Sequence, residues 1–319
     1  MRYADSVATL IAIMSVGIAP KAAFASERNS SNIPVGLGTV VSGISPGPDF
    51  TYLQYNTVYS ADRINDSDGD KALPDFKLNA AVVTPRLDFA WAHIGEVQLS
   101  TWAAQPILLK LNARVGKGAG AIRDSHSGFG DTIISPITLG LQGNVPVLGH
   151  YLLTIDPLFN IPTGAYDNRR LVNPGSNRWT FQPFVGVTFF PTQKLSLNMQ
   201  MNYAYNWRNK ETNYKTGDEI DVDFASGYKI KSNVTVELNG YYYKQLSDDR
   251  QNGMRYLNGN RGEAFALGPQ VFVQTKRGGF ALKYQKEVVA YNRPQGSRLW
   301  IQWAVNLSSG QKRPESGQQ

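Results

Sequence analysis

Residues Leu195–Asn206 read LSLNMQMNYAYN. Leu195, Leu197, Met199, Met201, Tyr203 and Tyr205 take one parity; Ser196, Asn198, Gln200, Asn202, Ala204 and Asn206 take the other. Successive strand residues point to opposite faces, so the stretch is a strand with one apolar and one polar face. Twelve strand residues rise about 40 Å, and a tilt near 40° leaves about 30 Å of height, the hydrocarbon thickness of a bilayer. Strands of soluble domains are mostly about half that length. Tyr203 and Tyr205 close the apolar face and Trp207 follows, the position of an interfacial aromatic girdle.

The same rhythm returns through most of the 319 residues. It predicts twelve strands: Phe50–Tyr59, Leu78–Trp91, Glu96–Arg114, Asp131–Gln142, Tyr151–Ile161, Trp179–Phe190, Leu195–Asn206, Ile220–Ile230, Val234–Gln245, Ala264–Thr275, Phe280–Ala290 and Arg298–Leu307. Ala103-Ala104 and Pro106 break the phase of the third, which predicts a bulge there. In the fourth, Ile133, Ile137, Leu139 and Leu141 are expected on one side. Short turns alternate with long polar links, as in an outer-membrane barrel with periplasmic turns and extracellular loops. The expected fold is all-β: a closed antiparallel transmembrane barrel, because no open sheet edge survives in lipid.

Composition agrees. Mean hydropathy is −0.31, too polar for a helical membrane protein but suited to strands that give lipid only alternate residues. Cysteine is absent, which removes disulfides, thiolate metal sites and a cysteine nucleophile. The net charge of +7 is spread over loops instead of clustered, favouring anionic headgroups over nucleic acid. Residues 1–25 read as a signal peptide: Arg2, an apolar run from Val7 to Ala19, then Ala23-Phe24-Ala25 ahead of a cleavage site. Residues 26–49 read as a flexible leader or small plug, 50–307 as the barrel and 308–319 as a polar tail.

Loop and strand-end sequences resemble the family of outer-membrane proteins named for the meta-pathway of phenol degradation. The residues that carry the likeness include Tyr59-Ser60-Ala61-Asp62-Arg63, Gly128-Phe129-Gly130-Asp131, Pro162-Thr163-Gly164-Ala165-Tyr166-Asp167 and Asn177-Arg178-Trp179-Thr180. Thr216-Gly217-Asp218-Glu219, Gly240-Tyr241-Tyr242-Tyr243-Lys244-Gln245, Gly259-Asn260-Arg261-Gly262, Gly268-Pro269-Gln270, Tyr284-Gln285-Lys286-Glu287 and Asn292-Arg293-Pro294-Gln295-Gly296 complete it. The resemblance implies an outer-membrane barrel that passes small, often aromatic, molecules, and it brings no catalytic residues. One departure is the end of the last strand, Val305-Asn306-Leu307, where such barrels usually close on an aromatic residue.

Inward parity nominates Arg86, Asp88, Asp156, Asn198, Gln200, Asn202, Asp221, Asp223, Lys229, Glu237, Lys283, Glu287 and Arg298 as pore lining. Lys110 and Arg114 join them if the bulge preserves parity. Asp221 and Asp223, neighbours on one inward face, are candidates for setting ion selectivity. The cations of the long loops suit lipopolysaccharide phosphates. Asp66, Asp68 and Asp70 resemble part of a calcium loop, but Lys77 stands where the terminal acidic ligand belongs. No cofactor is expected. Three readings follow: passive diffusion of small solutes, a blocked barrel acting structurally or in adhesion through its loops, and a loop-borne hydrolase using His126 between Ser125 and Ser127.

Overall fold

The computed structural model describes residues 35–44 and 49–307. The expected signal peptide, the rest of the leader and the polar tail lie outside the described residues.

The strands are β1 (Asp49–Ile64), β2 (Lys77–Ile94), β3 (Val97–Ala104), β4 (Ile107–Val115), β5 (Ile122–Phe129), β6 (Thr132–Val145), β7 (Gly149–Ile161), β8 (Thr180–Phe190) and β9 (Leu195–Asn206). There follow β10 (Tyr214–Lys215), β11 (Glu219–Lys231), β12 (Val234–Gln245), β13 (Arg250–Gln251), β14 (Met254–Arg255), β15 (Glu263–Thr275), β16 (Gly278–Tyr291) and β17 (Pro294–Asn306). Every pairing is antiparallel, and β1 pairs with both β17 and β2. That double pairing closes twelve strands into a barrel: β1, β2, β3, β6, β7, β8, β9, β11, β12, β15, β16 and β17. The tiny β10, β13 and β14 form a separate sheet in the loops.

Alternation sets what each face meets. On β9, Met199 and Met201 are exposed, while Asn198, Asn202 and Asn206 are buried. On β17, Leu299, Ile301, Trp303 and Val305 face out, while Trp300 and Gln302 are buried inside. The outward face is therefore an apolar band around a polar interior, the inverse of a soluble protein and the form that lipid demands.

The sequence reading needs correction in one wall. The third predicted strand is two segments, β3 and β4, interrupted at Gln105-Pro106 and both paired with β2. The residues from Ile122 to Phe129, read as loop, form β5 and pair with β4. This wall thus stands taller than the rest: β2 has 18 residues, against 11 in β8. The phase break lies at Leu109, not at Ala103-Ala104. Ala81 pairs with Lys110 and Val82 with Leu108, which leaves Leu109 extra. A one-residue insertion flips all later side chains. Leu111, Ala113 and Val115 consequently face the bore, and Lys110 and Arg114, expected inside, face out. A second bulge at Pro136-Ile137 in β6 puts Ile133 inside, separating it from the outward Ile137. Pro157 and Pro183 face each other across β7 and β8. Neither has an N–H to give, so the ladder is thinned there.

Met199, exposed and cross-strand from Val187 and Phe224, should sit against lipid near mid-height. Met199→Arg should lower unfolding stability in vesicles by about 2–4 kcal/mol. Met199→Leu should cost less than about 1.5 kcal/mol. Equal losses in a urea titration would contradict a lipid-facing Met199.

Candidate functional site

The bore encloses a cavity of about 1650 Å³ with two unlike walls. One wall is ionic. On β11, Glu219, Asp221 and Asp223 point inward and are buried. Tyr243 donates to Glu219 at 2.6 Å, and Asn202 donates to Asp221 at 2.7 Å. Glu287 accepts from Tyr241 at 2.6 Å, from Tyr59 at 2.8 Å and from the Gly296 N–H at 2.6 Å. Arg293 lies over the Tyr243 ring at 4.1 Å, and Arg298 over Tyr59 at 5.0 Å. Buried charges persist because each is bonded or paired.

The other wall is apolar. Leu78, Ala80 and Val82 on β2 and Leu108, Leu111 and Ala113 on β4 line it, with Leu73 and Phe76 from the link before β2. Leu111 and Ala113 form a cluster with Val172, against which Leu78, Ala80, Leu108 and Leu171 pack. The loop after β7 is pinned over this wall by two carboxylates. Asp131 accepts from the Gly164 N–H at 3.0 Å and the Ser176 N–H at 2.9 Å. Asp124 accepts from the Leu171 N–H at 2.9 Å and from Arg170 at 3.0 Å. At the loop's exposed tip, a hydrogen bond from Arg169 holds the Asp167 carboxyl down at about 2, so this clip is lost only as pH falls through that value. One charged island interrupts the apolar wall: Arg86 donates twice to Asp88, at 2.6 and 2.7 Å, and stacks 3.8 Å over Trp102. Trp102 and Thr138 in turn donate to Asp156.

Residues 35–44 cross between the walls. Asp223 accepts the Gly36 N–H at 2.7 Å and the Gly38 N–H at 2.6 Å. Lys283 donates to the Gly36 carbonyl at 2.6 Å, the Leu37 carbonyl at 2.9 Å and the Thr39 hydroxyl at 2.9 Å. Thr39 donates to Gln270, and Arg298 donates to the Val35 carbonyl. Val35 packs on Tyr241, Tyr243, Ala264 and Ala266 of the ionic side, and Leu37 on Trp102, Ala104, Ile133, Leu158 and Phe184. Two glycines make this approach feasible. Gly36 has φ +82°, and a Cβ there would lie 2.3 Å from Gln285; one on Gly38 would lie 2.4 Å from Gln200.

Of the residues nominated from sequence, Arg86, Asp88, Asn198, Gln200, Asn202, Lys229, Glu237 and Arg298 line the cavity. Asp156, Asp221, Asp223, Lys283 and Glu287 point inward but are buried under their partners. The apolar wall and the grip on residues 35–44 were not foreseen. Alternation in β2 points to Leu78, Ala80 and Val82, but the shift at Leu109 hides their partners in β4. Asp66 spends its carboxylate on the Asp68 and Asp70 N–H groups as a turn cap. Among the described residues, no cluster of three or more His, Asp or Glu is placed to hold a metal. Ser125 donates to Asn112, not to His126.

Replacing Lys283 removes three bonds to residues 36–39. With no native cysteine to interfere, Thr39→Cys should react with a bulky thiol reagent at least tenfold faster in a Lys283→Met background. Unchanged labelling would show that Lys283 does not hold the segment.

No curated protein sequence matches the chain. Among solved structures, the COG4313 outer membrane channel from Pseudomonas putida F1 superposes with a TM-score of 0.71 at 16% identity, over 82% of this chain and 97% of that one. The NanC porin superposes at TM-score 0.41 and 13% identity, over 80% of this chain and 100% of that one. The CymD monoaromatic hydrocarbon channel gives 0.39 and 9%, over 82% and 89%. The last two overlays are loose and carry no functional information. Residues 61–303 match the family described as "Putative MetA-pathway of phenol degradation", and the chain belongs to that family.

Proposed function

We propose that this protein is an outer-membrane channel for the passive inward diffusion of small apolar solutes, aromatic ones among them. The observation that carries the reading is the apolar wall. It runs from Leu73 and Phe76 at the loop end, past Leu78, Leu111 and Val172, to Leu37, Val40 and Ile44. A polar solute gains nothing from such a surface, whereas an apolar solute sheds its hydration on it. Arg86 stacked on Trp102 adds a flat cationic face beside this path, of the kind aromatic rings favour. Passage needs no catalytic group.

The segment 35–44 supports a second reading, a barrel blocked at rest. Planar-bilayer recordings separate the two: conductance steps from correctly folded protein support the channel, and their absence supports the blocked barrel.

The solute preference has its own test. Leu78→Asp with Leu111→Asp puts charge on the apolar wall and should slow phenol entry into vesicles at least tenfold, with ion conductance changed less than twofold. Equal loss for phenol and for small sugars would remove the apolar preference. Asp221 and Asp223 remain candidates for ion selectivity. Reversing both charges should shift the reversal potential in a salt gradient, and an unchanged potential in folded protein would exclude them.

A further inference from the structure

Lys77, Arg114 and Arg123 stand side by side on the outer face of the tall wall. Lys77 pairs with Arg114 on β4, and Arg114 pairs with Arg123 on β5. Their neighbours Leu78, Ala113 and Ile122 line the cavity, so these three point away from it. Like charges directly opposite on adjacent strands repel, and three in a row is an unfavourable arrangement for a bare protein.

Several other cations at the loop end have carboxylate partners: Lys117 with Asp75, Arg170 with Asp124, Lys244 with Glu263, and Arg255 and Arg261 with Asp248, while Arg63, Arg208 and Arg250 bond amide or carbonyl oxygens singly and not in a row. Among the described residues, Lys77, Arg114 and Arg123 make no ion pair. Continuing the β1–β2 register past Ala61–Leu78 sets Asp62 opposite Lys77, yet no pair within 4.0 Å forms. Arg123 reaches only the Gly118 carbonyl, at 3.5 Å. The Arg114 Nε is shielded from solvent and donates to nothing.

The height of the row fits an anionic layer. Val83, Ile107 and Phe129 form an apolar row across the same three strands. Ala81 and Lys110 pair above it, and Asn79, Asn112 and Ser125 above them. The cationic row comes next. It stands four residues beyond Ala81, about 13 Å along the strand and about 10 Å in height after tilting. Headgroup phosphates lie about 5–7 Å above the hydrocarbon edge, and the long cationic stems of the row reach down to them. Lys110 adds a charge at its lower edge.

We propose that Lys77, Arg114 and Arg123, with Lys110 beneath, are a docking site for the phosphates of the outer-leaflet lipid, the phosphorylated glucosamine anchor of lipopolysaccharide. Guanidinium matches phosphate bidentately, and two arginines side by side suit a lipid with two phosphates. The site stands independently of what crosses the bore.

The test uses the full chain in detergent micelles, titrated with fluorescent lipopolysaccharide or with the same lipid stripped of phosphate. Each cation near such a surface is worth roughly fivefold in affinity. Lys77→Gln, Arg114→Gln and Arg123→Gln together should therefore weaken binding of the phosphorylated lipid about a hundredfold. Lys77→Arg with Arg114→Lys and Arg123→Lys keeps the charge but loses the two forks, and should bind between wild type and the triple glutamine variant. Wild-type protein should bind the stripped lipid as weakly as the triple glutamine variant does. Barrel folding is read from the mobility change on boiling, and Arg123→Gln alone, expected to lose roughly fivefold, serves if the triple variant does not fold. Three results would overturn the proposal: near-wild-type affinity in the glutamine variants, equal wild-type affinity for stripped lipid, or full displacement of the lipid by millimolar inorganic phosphate.

Discussion

A backbone in hydrocarbon must pair every N–H and C=O with another part of itself. This constraint governs the rest of the structure. It requires β1 to pair on both sides, with β17 and with β2, because an open edge would leave a row of orphaned groups in lipid. Closure then fixes the meaning of alternation: one parity dissolves in lipid and the other is confined to a bore. Local departures are costly and therefore informative. Where Pro157 faces Pro183 the ladder loses donors. Where Leu109 is inserted in β4 and one extra residue at Pro136-Ile137 in β6, the wall keeps its pairing by letting the parity flip.

The confined interior is divided between two chemistries. Along β11, β12, β16 and β17, charge is buried by mutual bonding: Glu219 with Tyr243, Glu287 with Tyr59 and Tyr241, Asp223 and Lys283 with residues 36–39. Along β2 and β4 the bore is lined by aliphatic side chains, and the loop that carries Leu171 and Val172 extends it. The segment 35–44 has the composition to bridge them. Its backbone dipoles and Thr39 satisfy the ionic wall, while Leu37 packs on Trp102, Ala104, Ile133, Leu158 and Phe184, a cluster distinct from the aliphatic wall.

Much of this was legible in sequence. Strict alternation, as in Leu195–Asn206, names both the strand and its lipid face, because the period of two is geometric. The twelve barrel strands and the inward position of Asp221, Asp223, Lys283 and Arg298 follow from it. Three things did not. Bulges are invisible to a count of alternate residues unless a proline or a pair of small residues marks them. The mark at Ala103-Ala104 misled, while Leu109, a residue ordinary in any strand, carried the shift. The hairpin β4–β5 escaped because its outer face, Ser125 and Arg123 included, is polar above the hydrocarbon and so reads as loop. The seat of residues 35–44 escaped because it depends on single side chains from five strands, which no local pattern joins.

The flip at Leu109 ties these points together. Before it, even positions face the bore; after it, odd positions do. Without the extra residue, Lys110, Asn112 and Arg114 would enter the vestibule and Leu111 and Ala113 would leave it. The β4 side of the bore would then carry charge, and the outer face would present an apolar patch to the polar headgroup layer, an exposure that polar surroundings disfavour. One inserted residue thus turns Leu111 and Ala113 into the apolar wall and Arg114 into the cationic row, whose other members stand on neighbouring elements. The two properties were placed together by a single backbone irregularity, and neither can be altered by shifting that bulge without altering the other.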